Sequence, residues 1–111
     1  MMLAIPLHKY NRQFIVSMPS VKNTMVDKGI FIRLLYSTTN VTFNGIYIYI
    51  HQENHKDVCA VEKDVLQIHT TTKTPVFSIE RQLLRTPKQV LKISGIWENE
   101  TSYGLVYKFI D

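Results

Sequence analysis

Cysteine is almost missing from this chain. Cys59 stands alone, so no intramolecular disulfide can form and the bridged scaffold of small secreted domains is excluded. That favours a reducing compartment. Glycine and proline are scarce, four of each, which argues against wholesale disorder. The isolated glycines at 29, 45, 95 and 104 build neither a Walker loop nor a dinucleotide fingerprint. No apolar run approaches the roughly 20 residues that a membrane span requires. Met1 to Leu7 is apolar only briefly, follows no basic region and meets Pro6 early, so it does not read as a signal peptide. Internal repeats and low-complexity stretches are missing as well.

What remains has the composition of one globular domain. The 111 residues are 45% hydrophobic and 20% charged, enough for one core and too short for a second domain with its own. The net charge of +4 permits anionic partners without being polybasic. Asn40-Val41-Thr42 and Asn99-Glu100-Thr101 match the glycosylation pattern, but without secretion they read as turn chemistry.

Alternation marks the strands. Gln13 to Met18 reads as a strand stopped by Pro19, with a loop from Ser20 to Lys28. Gly29 to Tyr36 places Ile30, Ile32, Leu34 and Tyr36 on one side and Phe31, Arg33 and Leu35 on the other, as in a central strand covered on both faces. Val41 to His51 follows, and the two together predict a central hairpin, with Asn44-Gly45 as a bulge. Within Ile46 to His51 the isoleucines share one face and Tyr47, Tyr49 and His51 the other. Gln52 to Asp57 is polar loop. Val61, Val65 and Ile68 recur at helical spacing, and Thr74-Pro75 opens a second predicted helix to about Arg85, with Val76, Ile79 and Leu83 inward. Gln89 to Trp97 and Tyr103 to Ile110 form the clearest hairpin. Leu91, Ile93 and Trp97 share one face there, Tyr103, Leu105, Tyr107 and Phe109 pair with them, and Lys92 and Lys108 fall opposite.

These elements predict an α+β, β-dominated domain. Its antiparallel sheet would have about five or six strands and curl toward a barrel of the oligonucleotide-binding (OB) type, with one or two short helices before the last hairpin; helices inserted there are also compatible with an open sheet that they back.

Chemistry is weighed against this frame. His51, His55 and Cys59 are spaced by four, with His69 further on; they could supply zinc ligands, but no Cys-x-x-Cys pair is present and loop histidines ordinarily face water. No metal or cofactor is therefore expected. No nucleophile elbow or cysteine-protease signature surrounds a nucleophile, and Glu98 and Glu100 read as a solvated hairpin tip, not a recessed carboxylate pair. The expectation is a protein that is not an enzyme. Binding is better supported. Phe31, Arg33, Tyr47 and Tyr49 on one sheet face, with Lys92 and Lys108 on the terminal hairpin, offer π-faces for bases and cations for phosphates of single-stranded DNA or RNA. Arg81, Arg85 and Lys88 would extend a basic flank. The same tyrosines also suit ordinary sheet packing. The alternative is a structural or protein-interaction module, self-associating as an oligomer or binding a host factor through its aromatic face and strand edges.

The blocks Asn23 to Tyr36, Asn44 to Ile50, Lys73 to Leu84 and above all Val90 to Ile110, with the run LKISGIWENETSYGLVYKFI, resemble a group of small uncharacterised proteins of large eukaryotic DNA viruses. The resemblance implies a viral origin and an intracellular setting, in host cytoplasm, nucleus or virion; the lack of a long apolar run is what leaves no membrane partner expected. It lends no activity.

Overall fold

Eight strands and two short helices form the chain's regular structure in a computed structural model that describes residues 4–23, 29–50, 55–83 and 90–110. The strands are β1 (Ile15–Ser17), β2 (Val21–Asn23), β3 (Gly29–Ser37), β4 (Thr42–Phe43), β5 (Ile46–Tyr49), β6 (Thr74–Val76), β7 (Val90–Glu98) and β8 (Ser102–Ile110). The helices α1 (His55–Leu66) and α2 (Ile79–Leu83) lie between β5 and β7 in sequence. All eight strands join one sheet, in which β3, β7 and β8 form the centre. The domain is α+β and β-dominated, as the patterning predicts. There are more strands than expected because β2 lies in the segment read as loop, β6 in the one read as helix, and the single strand expected over Val41 to His51 is divided into β4 and β5; β2, β4 and β6 are two or three residues long, too short for periodicity to register. The sheet stays open, so the expected barrel closure is not confirmed. Among the described residues no helix is long and apolar enough to cross a membrane.

The core cluster lies on one face of the sheet. Leu34, Ile46, Ile48, Leu91 and Ile93 are fully buried there, each contributing about 1.5–3 kcal/mol by leaving water. Both helices close this face, through Val58, Val61, Val65 and Leu66 of α1 and Ile79 and Leu83 of α2. The N-terminal segment is tied to the same layer: the Tyr10 hydroxyl donates to Asp64 at 2.7 Å, the Asn11 N–H donates to the Tyr36 hydroxyl, and Ile5 bridges to Ile48.

Four sequence expectations are corrected. First, among the described residues β3 is covered on one face only, the side of Leu34 and Tyr36 on which both helices pack. Second, β3 and β4 pair only at Tyr36–Phe43 and Ser37–Thr42; at Asn44-Gly45, where Gly45 has φ 128°, the chain turns away and β5 pairs with β7. The anticipated bulge is thus a corner between two pairings. Third, Thr74-Pro75-Val76 is not helical but a strand parallel to β8, with Val76 exposed. Its β-branched residues suit an edge, where a proline needs no ladder donor, and the helix begins only at Ile79. Conversely, α1 starts at His55, inside the segment read as loop. Fourth, the β7–β8 register shifts between Ile93 and Gly95. This bulge at Ser94 reverses the alternation, so Ile96 points inward and Trp97 joins the face opposite Leu91 and Ile93.

Two polar clusters hold the helical layer to the sheet. Glu62, 3% exposed, accepts the N–H groups of Ser78 and Ile79 at 2.9 and 3.2 Å, so a carboxylate of α1 caps α2. Burial pushes its carboxyl up, and the two N–H bonds oppose that. Glu62→Ala orphans both donors and is expected to cost about 2–3 kcal/mol, read from urea unfolding at neutral pH. Its burial works against Glu62 as pH rises. A carboxyl raised in the folded state stabilises when protonated, and that contribution is lost through the folded pKa.

Glu98 is the second cluster. It is not a solvated tip residue: its carboxylate binds His69 Nε2 at 2.8 Å and Lys73 Nζ at 3.1 Å, and Lys73 also donates to the Asn99 carbonyl. The His69 hydrogen bond, then Lys73, holds the Glu98 carboxyl below its ordinary value. A depressed carboxyl stabilises above its unfolded pKa, so this contribution is lost as pH falls below about 4.3 and through the folded pKa. The urea midpoint is expected to fall on acidification through that window, and less steeply in Glu98→Gln. Beside it, the Asn99 side chain accepts the N–H groups of Thr101 and Ser102, the turn role that the sequence assigns it.

Candidate nucleic-acid interface

Opposite the helices the sheet presents a face that no described element covers. Pairing register fixes what stands on it. The outward rows are Tyr49–Val90–Ile110, Tyr47–Lys92–Lys108, Arg33–Gly95–Val106 and Phe31–Trp97–Gly104. All six residues singled out from the sequence, Phe31, Arg33, Tyr47, Tyr49, Lys92 and Lys108, therefore share this face. Tyr49, Arg33 and Lys108 are exposed, and Phe31, Tyr47 and Lys92 are half-buried.

The tertiary arrangement adds an order that no single strand contains. β5 and β3 occupy the same edge of β7, end to end, the first along Val90 to Ile93 and the second along Gly95 to Glu98. Tyr49, Tyr47, Arg33 and Phe31 consequently form one line, about 20 Å long at ~3.3 Å per residue of β7. The Asn44 corner joins its halves, accepting a hydrogen bond from Arg33 Nη1 at 3.1 Å.

Cations sit on the rings. The Arg33 guanidinium lies 5.6 Å from the Phe31 centroid and Lys92 Nζ 5.5 Å from that of Tyr47, within cation–π range. Lys92 stands directly opposite Lys108, a like-charge pair that costs the sheet stability. No Asp or Glu occurs among the described residues of this face. The acidic partners Asp64 and Glu98 bind Arg12, His69 and Lys73 elsewhere.

Sequence reasoning missed Trp97. Its signal is the shift of apolar parity from Leu91 and Ile93 to Ile96 across Ser94-Gly95, which marks a bulge. The proposed basic flank is not assembled on the face: Arg81 lies on α2, in the helical layer, and Arg85 and Lys88 are outside the described residues.

Other candidate chemistry falls on the helical side. His55 and Cys59 are a helix turn apart on α1, beside a cavity of about 280 Å³ that Glu80 and Leu83 also line. Burial, then Glu80 and Glu62, pushes the Cys59 thiol up, opposite to an activated nucleophile. His51 lies outside the described residues and His69 is bound to Glu98. Among the described residues no three His, Cys, Asp or Glu side chains are grouped to hold a metal ion. A larger cavity of about 730 Å³ lies between the N-terminal segment and α1, lined by Leu7, Tyr10, Val61 and Asp64 among others.

Comparison with known proteins brings no relative: no family model, no curated protein and no solved structure matches the chain.

Proposed function

We propose that this protein binds single-stranded nucleic acid, DNA or RNA, across the open sheet face. The observation that carries the reading is the coincidence, on that face, of four aromatic rings with three cations and no described acidic residue. Tyr47, Tyr49 and Phe31 stack on bases, and Arg33, Lys92 and Lys108 neutralise phosphates. A phosphate between Lys92 and Lys108 would relieve their mutual repulsion. Single strands suit the face better than duplex because its rings lie in the sheet surface, where splayed bases can reach them, whereas duplex bases are stacked away. The resemblance of the terminal hairpin to viral proteins suggests that this binding operates inside infected cells.

The test is fluorescence anisotropy with a labelled mixed-sequence oligonucleotide at about 50 and 200 mM salt. Affinity is expected to fall steeply between them, and Lys92→Gln and Lys108→Gln are each expected to reduce the salt slope by about one. No binding at the lower salt would refute the reading.

The apolar edge of β1 and β2 favours a second reading. Val16, Met18 and Val21 are exposed there, Val21 at 57%, beside unpaired strand backbone of the kind through which sheets associate. Self-association would appear as a concentration-dependent mass in light scattering.

A further inference from the structure

The open face ends in a tryptophan that the alternation of β7 assigns to the core. We infer that Trp97 forms a second base-stacking subsite, separate from Tyr47 and Tyr49 and floored by Gly104. The inference rests on the nucleic-acid reading above and extends it from the three rings of Tyr47, Tyr49 and Phe31 to a track of about four nucleotides.

Three observations carry it. The bulge between Ile93 and Gly95 turns Trp97 outward, so the largest apolar side chain of the molecule stands on the face that no described helix covers. Gly104 is its cross-strand partner, and a Cβ there would come within 2.9 Å of the indole. The ring therefore lies against bare backbone of β8, in space that any side chain would fill. Finally, Phe31 is paired to Trp97 from β3, and Arg33 stands between this aromatic end and Tyr47. A strand stacked at both ends would pass its intervening phosphates over the guanidinium. Trp97 is half-buried, its ring packed on the β8 backbone, so the part of this amphipathic side chain that stays open is available to a partner.

Trp97 is the only tryptophan, so its own emission reports the subsite. Unlabelled oligothymidylate of about eight nucleotides is added while indole fluorescence is followed, in the wild type and in Tyr47→Ala/Tyr49→Ala. Quenching that saturates with the anisotropy curve is expected in the first, and quenching at higher concentration in the second. With labelled oligonucleotide, Trp97→Leu is expected to lose about tenfold in affinity and Trp97→Phe to recover most of it, since leucine keeps apolar bulk but offers no π-face. Thermal unfolding of both variants shows whether they are folded; should Trp97→Leu not fold, the wild-type quenching decides. Binding by anisotropy with unchanged indole emission, or equal affinity in Trp97→Leu, overturns the subsite and leaves the tyrosine reading standing. Absence of any binding at low salt overturns both.

Discussion

Replacing Tyr47 and Tyr49 together by alanine is expected to abolish most affinity for single strands while leaving the domain folded. Each stacked base contributes about 1–3 kcal/mol, so the double variant should bind roughly 100-fold more weakly or worse. Tyr47 also carries Lys92 over its ring at 5.5 Å, and its loss frees that cation to move from its phosphate. The fold has less at stake, because both rings stand on the face away from the core and Ile46 and Ile48, fully buried on the other side, keep β5 in place. Anisotropy measures the first claim and thermal unfolding the second. Unchanged affinity in a folded double variant would remove the tyrosines from the function.

Gly95→Ala is expected to have the largest effect on stability. A Cβ at this position would stand 2.3 Å from the Ile32 carbonyl oxygen and within 2.7 Å of the Phe31 ring. The ring can swing aside, but the carbonyl belongs to β3, which is pinned between β1 and β2 on one side and β7 on the other. Relief requires moving backbone at the bulge. The cost should be about 3 kcal/mol, a large part of the roughly 5–15 kcal/mol that holds a domain together. A fall in Tm of about 15 °C is the corresponding readout. Gly104→Ala provides the contrast, since the atoms nearest its new Cβ belong to the Trp97 indole, a side chain. It should cost less stability and instead lift the ring from its floor. Equal Tm values for Gly95→Ala and wild type would show that β3 yields more readily than its pairing implies.

Much of the candidate face was legible because alternation is a local property. Within β3, β5 and β8 every second side chain points the same way, so Phe31 and Arg33, Tyr47 and Tyr49, and Lys108 could be separated from their buried neighbours by counting. The clear limits were equally physical. Thr74-Pro75 fits a helix start as well as an edge strand, and only the partner β8 decides between them. Glu98 looked solvated because His69 and Lys73, its partners, lie more than twenty residues away in sequence. Glu62 likewise carries no local sign that it will cap a helix sixteen residues on.

The sequence by itself determined the class of fold, the terminal hairpin, the burial of the isoleucines and the sidedness of most site residues, because these follow from the period of side chains along one strand. Tertiary structure alone decided that β5 and β3 share one edge of β7, that both helices pack on the face opposite these site residues, and that Trp97 turns outward. Each of these depends on pairing between distant segments, and a single-residue bulge suffices to exchange a strand's faces.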